Sequence, residues 1–143
     1  MSDREVKAAA KAPQLAVQLA EVIHGSLALL AKKRGGEVFQ SDNEFDFYLG
    51  VVTGFTDVVT QSANCSPGET FQSTLIYHVF AELSEEAAER SADMVFNYMG
   101  KSDRPVSFDR GLECGNRAGN AFVVEQDPAE ARSIVMNALE NGI

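Results

Sequence analysis

The sequence predicts an all-α protein, a compact bundle of about five or six helices forming one domain over residues 1–143. Three observations predict it. Apolar residues recur at three- and four-residue spacing along successive segments, the signature of helices with one buried face. Start and stop signals separate those segments, with Ser, Asp or Pro at the openings and Gly at the ends. The chain has 143 residues, of which 45% are hydrophobic. That is enough for one buried core without structural metals or a disulfide framework, and too apolar for a disordered chain.

The elements follow in order. Residues 1–12, rich in Ala and Lys, are read as frayed. A first helix is expected from Pro13, with Leu15, Leu19, Val22, Ile23, Leu27 and Leu30 on one stripe. Lys32, Lys33 and Arg34 suit the negative helix end, and Gly35-Gly36 supply the stop. Ser41-Asp42-Asn43-Glu44 matches a capping box and opens a second helix carrying Phe45, Tyr48, Val52, Phe55 and Val59. Its valines also suit a strand; the spacing and the cap decide for helix.

Ser66-Pro67-Gly68-Glu69 is read as a helix start, with Ser66 capping and Pro67 in the first turn. Phe71, Leu75, Val79 and Leu83 form the third stripe. Ser84-Glu85-Glu86 caps a fourth helix with acid at its positive end, and Ala88, Ala92, Val95 and Met99 face inwards until Gly100. Phe108, Leu112 and Phe122 suggest a fifth helix, weakened by its glycines. Asp127-Pro128-Ala129-Glu130 repeats the proline start and opens a last helix with Ile134, Val135, Ala138 and Leu139, followed by Gly142. A faint echo links Phe45–Glu69 with Phe108–Glu130: an aromatic residue, spaced glycines, then a proline.

Charge narrows the function classes. Twelve Lys and Arg against 21 Asp and Glu leave a formal net charge of -9. Such a surface repels nucleic-acid backbones and anionic membranes, so neither is expected as a direct partner. No uncharged apolar run reaches membrane-spanning length, so no membrane insertion is expected. The polar first residues place the chain in the cytoplasm, or make it a mature form whose leader was removed. Two cysteines, Cys65 and Cys114, allow one disulfide or two free thiols. Two cysteines alone cannot make a four-ligand zinc site, and the two histidines, His24 and His78, lie far apart in sequence, so no metal or cofactor is expected.

Candidate sites follow from spacing. Gly50 and Gly54 share a helical face that lets another backbone approach, and Gly111, Gly115 and Gly119 do the same on the fifth helix. The close neighbour is either a helix of the same chain or a twin subunit. Residues 115–120 are alternatively a backbone loop around a ligand. Glu82 lies four residues after His78, the spacing of a proton-transfer pair, although a boundary histidine beside a solvated acid is the plainer reading. His24 stands at the edge of the first stripe. Cys65 precedes a helix start, a position that can make a thiol reactive, but no histidine adjoins it. Glu82, Glu85, Glu86 and Glu89, with Asp93, gather at the turn between the third and fourth helices. They form either a solvated face or an acidic patch for a basic protein, with Tyr77 and Tyr98 as its anchors.

Tyr48-Leu49-Gly50-Val51-Val52, Cys65-Ser66-Pro67, Thr70, Gln72, Leu83, Arg90, Ala92, Asp93 and Val95 together resemble the Rap/Tai-type immunity proteins of type VI secretion. The likeness spans about residues 45–99. It implies an all-helical, often homodimeric periplasmic protein that blocks the active site of a peptidoglycan amidase and catalyses nothing itself. It also implies a disulfide, with Cys114 as a displaced partner for Cys65. The chain departs from the family pattern at Phe45, where a cysteine is usual, at Pro105, which has no neighbouring cysteine, and in its first helix and its tail from Ser107.

The expected function is therefore non-catalytic protein binding, in the manner of an inhibitor that plugs an enzyme cleft. Two alternatives remain: a helical protein that binds a small ligand between its glycine-notched helices, and an oligomeric adaptor paired through its glycine faces.

Overall fold

The computed structural model describes residues 3–36 and 38–141, and in these it contains six α-helices and no strand. They are α1 Asp3–Lys33, α2 Asp42–Ser62, α3 Thr70–Leu83, α4 Glu85–Met99, α5 Val106–Val123 and α6 Pro128–Glu140. Gly142, expected to close the last helix, lies outside the described residues.

The first helix begins earlier than expected. Residues 3–12 are helical rather than frayed, and Pro13 sits inside α1 rather than at its start. Proline removes one helix hydrogen bond and crowds the preceding turn. The helix runs through it because its first turns are docked. Glu5 accepts hydrogen bonds from the backbone N–H groups of Ser66 at 3.2 Å and Phe71 at 3.1 Å. Extended in this way, α1 includes an 18-residue window of mean hydropathy 1.3, long and apolar enough by length and composition to cross a membrane. No uncharged run reaches that length, as expected, but a helix that includes Glu21 passes the test, which corrects the exclusion of a span by length. Half of the window is buried in the bundle, where α1 packs on α3 and, near its C-terminus, on α6.

The same docking explains a second correction. Ser66-Pro67-Gly68-Glu69 is a turn, and α3 starts only at Thr70. Gly68 has φ +79° and the Glu69 N–H donates to Ser66 O at 3.3 Å, as in a type II turn with Pro and Gly at its centre. Glu69 makes no side-chain cap, and the acceptor at the α3 N-terminus is Glu5, from the far end of the sequence. At α6, which has no glycine after its proline, the expected cap forms: Asp127 accepts from Glu130 N at 3.1 Å. Ser41 and Ser84 likewise cap α2 and α4.

The core is built around α2, which is buried almost all round from Phe47 to Thr60. Its main neighbour is α5. The glycines set the contact. A methyl placed on Gly50 would lie 2.1 Å from Phe108 O, and one on Gly111 would lie 2.1 Å from Phe47 O. Gly54 faces Leu112 O at 2.2 Å and Gly115 faces Val51 O at 2.3 Å in the same sense, and Gly119 meets Val58. The pairing climbs both helices together, so α2 and α5 run parallel with their backbones touching, related by an approximate two-fold. The echo between the two segments thus has a geometric counterpart. The segment 115–120 is helix, not a ligand loop, and the close neighbour of each glycine row is a helix of the same chain.

Gln72 fastens α3 to α2. It is fully buried; its amide N–H₂ donates to Thr53 O, Thr56 Oγ1 and Asp57 Oδ1, and its carbonyl accepts from Gly68 N at 2.7 Å. Burial pushes the Asp57 carboxyl up, against the lowering effect of the Gln72 bond.

Candidate protein-docking surface

The cap at Ser84 turns the chain sharply from α3 into α4, because one residue separates the two helices. Leu83 therefore projects at the corner, 42% exposed. Glu82, Glu85, Glu86, Glu89 and Asp93 are all exposed around it. None of them is in an ion pair among the described residues. Glu85 and Glu86 sit in the first turn of α4, where the helix dipole favours them, whereas Glu82 lies in the last turn of α3, where it does not. Tyr77, in the last two turns of α3, is 42% exposed.

Tyr98 does not belong to this surface. It stands at the far end of α4, about 20 Å along a 15-residue helix. Its hydroxyl donates to Asp46 Oδ1 at 3.0 Å and its ring packs edge-on against Phe108 at 5.1 Å. It fastens α4 to α2 and α5.

The corner continues into an open groove of about 630 Å³ between α1, the end of α3 and α6. Its apolar wall is Val17, Ala20 and Leu29, with Val17 42% and Leu29 49% exposed. Glu21, Glu82 and Arg132 are its charged members, so Glu82 belongs to both groove and corner. The groove exists because α1 outruns α3. Its last turns pass on to α6, where Ser26 donates to Arg132 O at 3.2 Å and Lys33 pairs with Glu140.

His24 lies at the back of the groove, half-buried, with Nε2 2.9 Å from the Tyr48 hydroxyl. Burial lowers its pKa to about 4 and pushes that of Tyr48 up. The imidazole is therefore neutral and shares one hydrogen bond with the tyrosine hydroxyl, the direction of which is set by the ring's tautomer. A histidine that stays neutral in the fold but protonates near its ordinary value when unfolded makes the unfolded state bind more protons between those two values. Stability is then complete above about pH 6.5 and falls as the pH drops towards 4, by up to about 3 kcal/mol. In urea titrations at pH 7 and pH 4.5, His24→Gln should show a smaller loss than the parent chain; equal losses would refute the assignment.

The remaining sequence candidates are not brought together. His78 is half-buried beside Tyr77, with no hydrogen bond to Glu82. Cys65 and Cys114 are free and buried, not bridged. They point into different parts of the bundle. The Cys65 thiol faces Ala63 O in the turn after α2, and the Cys114 thiol faces Ile134 O on α6. Burial raises the Cys65 pKa, with the Glu5 carboxylate adding to the effect, which is opposite to the lowering a helix start would give. Burial likewise pushes Cys114 up to about 11. Among the described residues no group of three or more His, Cys, Asp or Glu is placed to hold a metal ion.

Sequence reasoning missed Glu5, the His24–Tyr48 pair and the groove. An acidic residue in an Ala- and Lys-rich segment gave no sign that it would cap a helix more than sixty positions away. Comparison of the chain with protein-family models, with curated proteins and with solved structures finds no match.

Proposed function

We propose that the chain is a non-catalytic protein-binding protein that docks its α3–α4 corner and the adjoining groove onto a basic partner. One observation carries the reading: an unpaired acidic corner and an exposed apolar groove share Glu82 and so form one continuous surface. Glutamates at the rim steer encounter with a positive surface, and a few apolar anchors supply most of the binding energy. Val17 and Leu29, on the groove wall, are those anchors. The likeness to Rap/Tai-type immunity proteins supplies the partner class, a basic peptidoglycan amidase whose cleft the corner would block in the periplasm. The glycine rows are engaged inside the chain, so a homodimer would have to form through another face.

The test is inhibition of a purified basic amidase of the type VI effector class by the full chain. Stoichiometric inhibition is expected. Glu85→Lys combined with Glu86→Lys should slow association by about tenfold or more, and added salt should mimic it. No inhibition, or inhibition indifferent to both changes, would refute the proposal. Lysines in the first turn of α4 oppose the helix dipole, so the variant should melt a few degrees lower than the parent but stay folded.

A further inference from the structure

A second cavity of about 390 Å³ lies on the other side of the corner, between the loop that follows α1, the start of α2, and α4. Its position is set by the Arg34–Glu44 pair, a two-bonded contact at 2.6 and 2.8 Å that pins the loop against α2. Phe39, carried by that loop, then stands 5.3 Å from Phe45 and 5.1 Å from Tyr48, and Tyr48 stands 5.6 Å from Phe80. These four rings line the cavity.

Ser84, Arg90 and Ser91 are the polar residues that α4 and its cap contribute to it. Ser91 is only 7% exposed and lines the cavity, yet its hydroxyl has no hydrogen-bond partner among the described residues. Its oxygen stays open to the cavity, so a molecule there can accept from it. Arg90, the next residue, is exposed at the rim, the only charged group in the lining, and is in no ion pair among the described residues. Aromatic walls with serine hydroxyls and one guanidinium match the composition of a small-molecule site, apolar over most of its surface with a few polar groups that fix orientation.

We propose that this cavity binds a small aromatic carboxylate. Its ring lies among the phenylalanines, its carboxylate meets the Arg90 guanidinium at the mouth, and an oxygen accepts from the Ser91 hydroxyl. The charge sign follows from the lining: the cavity offers one cation and no carboxylate, so an acid is preferred over its neutral amide. The proposal does not depend on a protein partner, and its test uses none.

The experiment is isothermal titration calorimetry of the full chain with 3-phenylpropanoate and with 3-phenylpropanamide. The acid should bind about tenfold or more tightly than the amide. Arg90→Gln should bring the two ligands level, and because Arg90 is exposed its melting curve should not move. Ser91→Ala should weaken the acid while leaving its preference over the amide. Absence of binding by the acid, equal binding of acid and amide to the parent chain, or an acid preference that survives Arg90→Gln would each overturn the proposal.

Discussion

Alanine at Gly50 or at Gly111 is expected to destabilise the chain by about 2–4 kcal/mol, a fall of roughly 10 °C in melting temperature. In most helices the same exchange helps, because alanine is favoured over glycine by up to about 1 kcal/mol. Here the new methyl meets a backbone carbonyl at 2.1 Å, and neither partner is a flexible side chain that can move aside. The two helices must separate along their whole contact, which loosens the centre of the core. The paired variant, Gly50→Ala with Gly111→Ala, should cost less than the sum, since one methyl already opens the gap the other needs. Gly25→Ala is the control of opposite sign. It is also inside a helix, but its methyl would lie 3.8 Å from Arg132 Nε, an ordinary contact, so it should gain about 0.5–1 kcal/mol. Urea denaturation of the four variants decides the matter; a neutral Gly50→Ala would mean that the helices do not touch there.

The second large effect is expected at Glu5. Glu5→Ala leaves the N–H groups of Ser66 and Phe71 without their carboxylate and should cost about 2–3 kcal/mol, the range for hydrogen bonds to a charged group. Glu5→Gln keeps an acceptor oxygen but loses the charge, and should fall between the two. Hydrogen exchange separates this from a general loss of stability. The amides of Ser66 and Phe71 and the first turns of α1 should exchange faster, while the α2–α5 contact stays protected. Unchanged exchange at those positions would contradict the docking of α1.

These two positions also show what was legible in the sequence. The six helices were, because each needs only local information: apolar spacing and a residue that caps or stops it. The Ser41, Ser84 and Asp127 caps form as their spacing says. The glycine faces were visible as faces, since a four-residue period puts them on one side, but the sequence left open whether their neighbour was the same chain. The failures are tertiary. Pro67 reads as a helix start until Gly68 takes a positive φ and makes a turn. Residues 3–12 read as frayed because the group that holds them is a pair of backbone N–H donors, which no side-chain pattern announces. Tyr98 reads as an exposed anchor until Asp46 and Phe108 are placed beside it. The glutamates at the corner were legible as a cluster; the groove and the aromatic cavity on either side of it were not, since each is lined by residues from at least three separate segments.

The account rests on the glycine rows facing each other within one chain, which leaves the acidic corner and its two flanking recesses for other molecules. Isotope-filtered nuclear Overhauser spectra on a mixture of labelled and unlabelled protein test this directly. Cross-peaks between the α-protons of Gly50 and Gly111, and between those of Gly54 and Gly115, should appear in the uniformly labelled chain and be absent from the spectrum that reports only contacts between chains. Those cross-peaks in the between-chain spectrum, or none in either, would contradict it.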